Sequence, residues 1–459
     1  KRVGSHRGGY DRFSFDITDY ILNQRYQTIT VSVWDPSNEG VQPVGKQYLK
    51  PETHGCRYTA TTGIWQSVWL EPVSRAYIRD IQITGDFDTG LVYVKVDCDG
   101  ADEGYRVEGL VPSDKSAKTE RSYGDGLVLE LEDFKAWSPD SPYLYDLELR
   151  LKDGGGEVVD KVESYFGMRK ISLGKDEYGV TRIYLNNKPI VLAGPLDQGF
   201  WPDGIHTAPT EEALEFDIKA IKKLGFNTTR KHVKVEMNRW YYLCDKLGLL
   251  VWQDMVSSKR SDENKDGFER ELRRMVEGHY NHPCIVVWSI FNEGWGQYDS
   301  ERLVEMIREM DSTRLINEVS GGLDNSGGDI EDTHNYAAPG CGGCEDDRAV
   351  GMGEAGGMGL TVEGHTWVDK KNWGYNTAES VEELTEKYVE QIRAGHILKS
   401  RGLSTVIYTQ LSDIETETNG LLSYDRKVFK VDVEKFSEAI GKLEEEAAVI
   451  RLLIDQQSP

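Results

Sequence analysis

The chain contains 459 residues, of which 38% are hydrophobic and 47 are glycine. This composition is normal for a folded globular protein, and the length predicts about three domains of roughly 150 residues each. With 54 basic and 78 acidic residues, the net charge is −24, and the sequence contains no basic patch. These features argue against a nucleic-acid-binding protein, and the lack of an apolar run of about 20 residues argues against a membrane-spanning one.

The first 72 residues have the pattern of β structure. In the segment 28–34, Ile29, Val31 and Val33 alternate with other residues, which predicts a half-buried strand. Residues 1–6 contain neither an initiator methionine nor the hydrophobic region of a signal peptide, and the sequence starts abruptly. We therefore expect residues 1–72 to be an all-β domain without its N-terminal part, and the sequence leaves the cellular compartment open.

Residues 73–172 continue as β structure. Leu147, Leu149 and Leu151 alternate with charged residues, and a glycine-rich turn follows at 153–156. Short strands separated by turn signals over about 100 residues predict a β-sandwich.

Strand and helix patterns alternate in the third predicted domain, residues 173–459. Thr210 precedes a helix with Glu211 in its first turn, and Ser380 and Glu383 form a capping box before another. Eight short apolar runs occur at residues 190–194, 226–230, 249–253, 285–291, 315–319, 330–336, 349–353 and 405–410. Eight strands interleaved with helices predict a (β/α)8 TIM barrel. The segment 320–329 is too short and too rich in glycine for a regular helix, so we expect the barrel to be irregular there.

Cys341 and Cys344 form a single C-x-x-C pair in a loop, without a second pair at zinc-binding spacing. We expect these thiols to have no catalytic role.

Two glutamates follow predicted strands at the barrel end that carries active sites. Asn292 and Glu293 come after the fourth strand, and Glu354 comes after the seventh. Two carboxyl groups facing one opening suit acid/base and nucleophilic chemistry at a glycosidic bond. Because Glu293 follows the apolar run 285–291, we expect partial desolvation to raise its pKa. The further candidates for substrate binding, at strand ends and in loops, are Asp197, Arg230, His232, Trp295, His334, Tyr336, Trp367 and Gln410.

Four motifs resemble those of glycoside hydrolase family 2, the family of β-galactosidases, β-glucuronidases and β-mannosidases. In chain order, residues 63–72, 165–169, 288–293 and 353–357 resemble the end of its jelly-roll domain, the junction before its barrel, its acid/base motif and its nucleophile motif. The resemblance implies a TIM barrel over 173–459, preceded by a jelly roll over 1–72 and an immunoglobulin-like sandwich over 73–172.

The same resemblance implies a role for each matching residue. Glu293 would be the acid/base, Glu354 the nucleophile and Asn292 the partner of the sugar 2-hydroxyl, while Arg230 and Tyr336 would orient the nucleophile. The implied activity is that of a retaining exo-β-glycosidase that works by double displacement on a carbohydrate substrate, with carboxyl groups about 5–5.5 Å apart. It implies no cofactor and no metal.

The identity of the sugar stays open at this stage. We expect a galactose-type sugar, but galactofuranoside, mannoside and glucuronide remain alternatives because recognition positions such as Gln410 depart from the family pattern. A non-catalytic carbohydrate-binding protein and a fragment of a larger enzyme are the rival interpretations. The sequence predicts no nucleic-acid or membrane partner and leaves self-association into a homo-oligomer open.

Overall fold

The computed structural model describes residues 1–49, 55–256, 260–343 and 347–444. Within these ranges the chain forms an N-terminal segment with little regular structure, a β-sandwich, a small three-stranded sheet and a large parallel barrel. No helix in the described ranges has the length and apolar character to cross a membrane. Cys341 is half-buried, whereas Cys344 lies outside the described residues. The domain limits at 72 and 172 stay predictions.

The N-terminal segment contains two short 3-10 helices, Thr18–Tyr20 and Ser37–Glu39, and two strands, β1 (Gln47–Tyr48) and β2 (Tyr58–Thr59), that pair in parallel. The strand predicted over 28–34 is wrong. Ile29 is 65% exposed, Val31 is 61% exposed, and the segment joins no sheet among the described residues. An alternating pattern becomes a strand only when another strand pairs with it and its apolar face is covered, and neither condition is met here.

The sandwich predicted for the second domain is present in the structure. Its strands are β3 (Tyr77–Asp86), β4 (Leu91–Asp99), β5 (Arg106–Val111), β6 (Asp114–Ser122), β7 (Leu127–Glu130), β8 (Trp137–Ser138), β9 (Ser141–Pro142), β10 (Tyr145–Lys152) and β11 (Val158–Phe166). Two antiparallel sheets, ordered β3-β4-β7 and β11-β10-β5-β6, enclose one apolar core. Leu147, Leu149 and Leu151 point into it, as their alternation predicts.

Residues at the end of the sandwich attach it to the barrel. The guanidinium of Arg169 donates hydrogen bonds to the carbonyl oxygens of Pro283, Thr313 and Ile285 at 2.7–3.0 Å. The hydroxyl of Tyr165 donates to Asp245 at 2.7 Å. A small antiparallel sheet follows, made of β12 (Ile171–Lys175), β13 (Thr181–Leu185) and β14 (Lys188–Pro189).

Eight parallel strands form the barrel, close to the positions of the eight apolar runs. They are β15 (Leu192–Asp197), β16 (Thr228–Lys231), β17 (Leu250–Asp254), β18 (Ile285–Asn292), β19 (Leu315–Ser320), β20 (Ile330–Asn335), β21 (Ala349–Gly356) and β24 (Leu403–Thr409). The short pair β22 (Met358–Gly359) and β23 (Asn376–Thr377) lies between the last two. Every residue of β18 and β21 is buried, as expected for strands covered on both faces.

The helices that accompany the barrel are α1 (Glu211–Lys223), α2 (Asn238–Leu247), α3 (Lys265–His279), α4 (Ser300–Met310), α5 (Val381–Lys399) and α6 (Val433–Glu444). The predicted caps are present. The side chain of Thr210 accepts a hydrogen bond from the amide of Ala213, and that of Ser380 accepts one from the amide of Glu383.

The barrel is irregular where the sequence predicts it. The sheet order β19-β18-β17-β16-β15-β24-β21-β20 leaves β19 and β20 without a regular ladder, and residues 321–329 contain no helix. Asp329 bridges the gap. Its amide donates to the carbonyl oxygen of Ile316 and its side chain accepts from the Ile316 amide, both at 2.7 Å.

Candidate active site

The two glutamates predicted from strand ends meet in the mouth of the barrel. Glu293 directly follows β18 and Glu354 lies in β21, two strands that are not neighbours in the sheet. One carboxylate oxygen of each lies within 4.8 Å of the other. Their environments differ, because the side chain of Glu293 is 40% exposed and that of Glu354 only 7%. Glu293 also has a φ of 50°, a left-handed conformation that non-glycine residues rarely adopt outside turns and functional sites.

Arg230, at the floor of the site, organises the residues around it. Its guanidinium is fully buried and pairs with both oxygens of Asp254 at 3.0 and 3.1 Å. The same group donates to the Asn292 side-chain oxygen at 2.8 Å and to the Gly353 carbonyl at 3.0 Å, and it lies 3.5 Å from Glu354. Burial lowers the pKa of Arg230, but the negative charges of Asp254 and Glu354 raise it more. Arg230 therefore stays charged and joins the ends of β16, β17, β18 and β21.

Two polar atoms in the site have no hydrogen-bond partner among the described residues. Because Arg230 donates to the oxygen of Asn292, the side-chain nitrogen of Asn292 is left as a buried free donor. His232 binds Asp254 through Nδ1 at 2.9 Å, while its Nε2 has no partner and lies 4.0 Å from a Glu354 oxygen. Buried polar atoms are normally paired, so these two atoms are available to a ligand that enters the site.

A pair of stacked tyrosines covers one side of Glu354. The hydroxyl of Tyr336 donates a short hydrogen bond to Oε2 of Glu354. Tyr336 and Tyr375 stack with ring centroids 3.9 Å apart. Gly357 allows this approach, since a Cβ atom there would lie 2.6 Å from Tyr375 and 2.9 Å from Tyr336. The glycines around Glu354 therefore leave room for the side chains that position it.

His334 lies between the two glutamates. Its Nδ1 is 3.2 Å from Glu293 and 3.6 Å from Glu354, and its Nε2 is 2.9 Å from the hydroxyl of Ser320. Burial lowers the pKa of His334, but the charge of Glu354 and the hydrogen bond with Glu293 raise it more.

The pKa of Glu293 differs from the prediction. The hydrogen bond from His334, together with the charges of His334 and Lys46, lowers this pKa by more than burial and the charge of Glu354 raise it. The expected rise by desolvation is therefore wrong for the unliganded site, because the carboxylate is partly exposed and paired with an imidazole. For Glu354, burial raises the pKa, but the positive charges of His334, His232 and Arg230 lower it well below its usual value. Glu354 is therefore a carboxylate at neutral pH.

In the described parts of the chain, Glu293, His334 and Glu354 form the cluster of side chains that could hold a metal ion. Ligand atoms of Glu293, His334 and Glu354 all lie within 4.8 Å of one another. Both imidazole nitrogens of His334 already have hydrogen-bond partners, so an ion there would displace one of them. The prediction of a site without metal stays a prediction.

Two of the predicted substrate-binding residues, Trp295 and Asp197, have charged neighbours. Trp295 is in the loop after Glu293, under the cations of Lys46 and Arg57 at 5.4 and 4.9 Å from its ring centroid. Asp197 is buried in an ion pair with Lys231 at 2.6 Å.

Gln410 and Trp367, two further predicted substrate-binding residues, contact side chains other than the two glutamates. Gln410 is buried in a network that joins Gln198 and Asn419 at 2.7 Å each. Trp367 is 42% exposed and packs edge-on against Tyr424. The structure thus brings Arg230, His232, Asn292, His334 and Tyr336 together around the carboxylates. Within the described parts of the chain, Asp197, Gln410 and Trp367 form no hydrogen bond or ion pair with Glu293 or Glu354.

Sequence reasoning missed two residues of the site. Lys46 comes from the N-terminal segment and Tyr375 from the loop before β23, and neither follows a barrel strand. The rule that identified Glu293 and Glu354 considers only residues at the ends of barrel strands, so it cannot find Lys46 or Tyr375. No local sequence pattern identifies these two residues either.

Comparisons with known proteins agree with this architecture. The family model described as "Glycosyl hydrolases family 2, TIM barrel domain" matches residues 179–337, and the model "Glycosyl hydrolases family 2" matches residues 76–169. A β-galactosidase of Thermoanaerobacter pseudethanolicus is 25% identical over 352 residues, which is 71% of this chain and 42% of that protein. The chain therefore spans less than half the length of this curated relative.

Two solved structures share the fold. An FMN-binding β-glucuronidase from Facaelibacterium prausnitzii aligns with a TM-score of 0.64 and 20% identity over 82% of this chain and 64% of that one. A β-galacturonidase from Eisenbergiella tayi, solved with bound galacturonate, aligns with a TM-score of 0.64 and 19% identity over 80% of this chain and 73% of that one. The barrel with its preceding β domains and the two family matches define one class of protein. The chain belongs to glycoside hydrolase family 2.

Proposed function

We propose that this chain carries the active site of a retaining exo-β-glycosidase that removes a terminal β-linked sugar. The observation that carries the proposal is the pair Glu293 and Glu354, with carboxylate oxygens within 4.8 Å of each other. Retaining enzymes place their carboxyl groups about 5–5.5 Å apart, whereas inverting enzymes leave about 6.5–9.5 Å for a water molecule.

The reaction proceeds in two displacements. The Glu354 carboxylate attacks the anomeric carbon and forms an ester bond, while the bond from that carbon to the leaving oxygen breaks and Glu293 gives its proton to that oxygen. A water molecule then attacks the anomeric carbon, Glu293 takes its proton, and the carboxylate of Glu354 leaves. The sugar is released with its original configuration, and Glu293 is protonated again.

The surroundings of each group support these roles. The low pKa of Glu354, which the charges of His334, His232 and Arg230 maintain against burial, keeps the nucleophile ionised. The free side-chain nitrogen of Asn292 is suited to donate a hydrogen bond to the sugar 2-hydroxyl. His334, whose pKa is raised by the charge of Glu354 and the hydrogen bond with Glu293, lies within hydrogen-bond distance of Glu293 and is suited to exchange a proton with it.

We expect the terminal sugar to be galactose-type, as in the relative named β-galactosidase. A glucuronide is the main alternative, favoured by the similar fold of a β-glucuronidase. Galactofuranosides and mannosides belong in the same substrate panel.

The test is the release of nitrophenol from a panel of β-glycosides by the wild-type chain, by Glu354→Gln and by Glu363→Gln. Glu363 is an exposed residue beyond β22 and serves as the control. We expect turnover of one sugar, its loss by several orders of magnitude in Glu354→Gln, and no change in Glu363→Gln. Activity that survives in Glu354→Gln would refute the nucleophile, and a folded wild-type chain that is inactive on the whole panel would favour the binding-only alternative.

A further inference from the structure

Lys46 reaches the mouth of the barrel from outside the barrel. It belongs to the N-terminal segment, is only 9% exposed, and its ammonium group lies 5.4 Å from the ring centroid of Trp295. Trp295 comes two residues after Glu293 in the loop that follows β18. The charge of Lys46 acts on Glu293 and Glu354 alike, in addition to the stronger influences of His334 and of burial on their pKa values. The ammonium group therefore faces the space next to the two carboxylates.

The backbone around Lys46 is held firmly against the barrel. Gly45 has a φ of 61°, and a Cβ atom there would lie 2.6 Å from the carbonyl oxygen of Val233, in the loop after β16. The carbonyl of Gly45 accepts a hydrogen bond from Arg57 at 3.1 Å, and the carbonyl of Lys46 accepts one from the amide of Tyr58 at 2.9 Å. These contacts fix the direction in which the Lys46 side chain leaves the backbone.

The side chain of Tyr58 adds an anchor inside the barrel mouth. Its hydroxyl donates to Glu417 at 2.5 Å and accepts from Gln198 at 2.7 Å. The pair of strands β1 and β2, which flanks Lys46, is thereby attached to loops that follow β24 and β15. A built support of this kind holds a side chain in place for binding rather than leaving it free at the surface.

Lys46 has no carboxylate within ion-pair distance in the described ranges, although its charge acts on Glu417, Glu293 and Glu354 nearby. Within the described ranges its ammonium group forms neither a hydrogen bond nor an ion pair with another side chain. The comparison is with Lys231, Lys234 and Lys430, whose ammonium groups pair with Asp197 at 2.6 Å, Glu236 at 2.7 Å and Asp413 at 2.6 Å. The ammonium group of Lys46 makes no direct hydrogen bond, so its three N–H donors are available to a ligand in the barrel mouth.

We propose that Lys46 binds the carboxylate of an anionic terminal sugar, so that the enzyme prefers β-linked uronic acids to their neutral counterparts. A carboxylate accepts charge-assisted hydrogen bonds from the ammonium group, which are stronger than the bond that a neutral sugar hydroxyl accepts. The inference rests on the proposed function, since it names the class of sugar that the same site binds.

The experiment compares matched substrates that differ only in a carboxylate. Nitrophenyl β-galacturonide is compared with β-galactoside and β-glucuronide with β-glucoside, using wild type, Lys46→Met, Lys46→Arg and the control Lys188→Met. Lys188 is exposed on β14, far from the barrel mouth. We expect wild type to prefer a uronide, and Lys46→Met to lower kcat/KM for that uronide by about 10- to 100-fold more than it lowers kcat/KM for the neutral sugar. Lys46→Arg should retain the preference, and Lys188→Met should behave as wild type.

Two results overturn the inference. One is a wild-type preference for a neutral sugar; the other is an equal loss on both sugars in Lys46→Met, which would assign Lys46 only to the charge balance of the glutamates. Failure of the proposed function is distinguishable, because it would abolish turnover of every glycoside. In that case, calorimetric titration of wild type and Lys46→Met with galacturonate and glucuronate still tests the role of Lys46. Equal binding by the two proteins, or no binding by either, would refute that role.

Discussion

Nδ1 of His334 lies 3.2 Å from Oε1 of Glu293. This contact gives the proposed acid/base a low pKa in the unliganded site and, together with Glu354, gives His334 a raised one. The three groups titrate as a coupled unit, in which the two carboxylates favour the protonated imidazole and the imidazole favours the ionised carboxylates. A substrate that enters between them must therefore change the partner of Glu293 before this residue can donate its proton.

His334→Gln should move the pH profile of kcat/KM toward higher pH on both sides. Loss of the imidazolium charge raises the pKa of Glu354, which must be ionised, and that of Glu293, which must be protonated. The acidic and basic limbs of the profile both report the unliganded enzyme, so both should shift upward. An unchanged profile, measured on the best substrate of the panel, would show that His334 does not control these two carboxylates.

Tyr336→Phe should reduce kcat by about 10- to 100-fold, because Glu354 loses a hydrogen bond to its charged form. The stack on Tyr375 needs only the ring, so the melting temperature should change little. Steady-state kinetics and thermal unfolding of the same preparation provide the check. A large drop in melting temperature would indicate that the hydroxyl contributes mainly to folding.

Arg230→Lys should lower kcat/KM by about 100-fold or more, although the positive charge is kept. A lysine cannot reach Asp254, Asn292 and Gly353 together, as the planar guanidinium does, and without Arg230 the Asn292 side chain loses its fixed orientation. Arg239→Lys, on an exposed part of α2, is the matched control. Equal activity of the two variants would contradict the organising role of Arg230.

Glu271→Gln should stabilise the chain at pH 8 and have little effect at pH 5. Burial and the charge of Asp11 raise the pKa of Glu271 to about 7, so the folded chain binds this proton more tightly than the unfolded chain does. The stability due to protonation is fully present below the unfolded-state pKa of about 4.3 and is lost as the pH rises toward 7. At pH 8 the neutral glutamine should therefore gain about 1–3 kcal/mol. Thermal unfolding at the two pH values tests this, and an equal shift at both would refute it.

The barrel and the identity of its two glutamates could be predicted because their signals are local. A strand covered on both faces must be apolar along its length, as 285–291 is, and the carboxyl ends of parallel strands meet at one opening. The same reasoning failed for the segment 28–34, since alternation describes a strand only if a partner sheet exists. Asp197 and Gln410 stay candidates for substrate binding, and their positions at strand ends could not reveal that other buried side chains bind them.

The sequence by itself therefore determined the parallel barrel, the sandwich before it and the pairing of Glu293 with Glu354. Only the tertiary structure decided the pKa values of these two glutamates, because the charges that act on them come from distant parts of the chain. His334 lies in β20, whereas Glu293 follows β18, and Lys46 reaches the site from a segment that no barrel strand precedes. Electrostatic interactions depend on distance and burial in space, and neither quantity is encoded in the spacing of residues along the sequence.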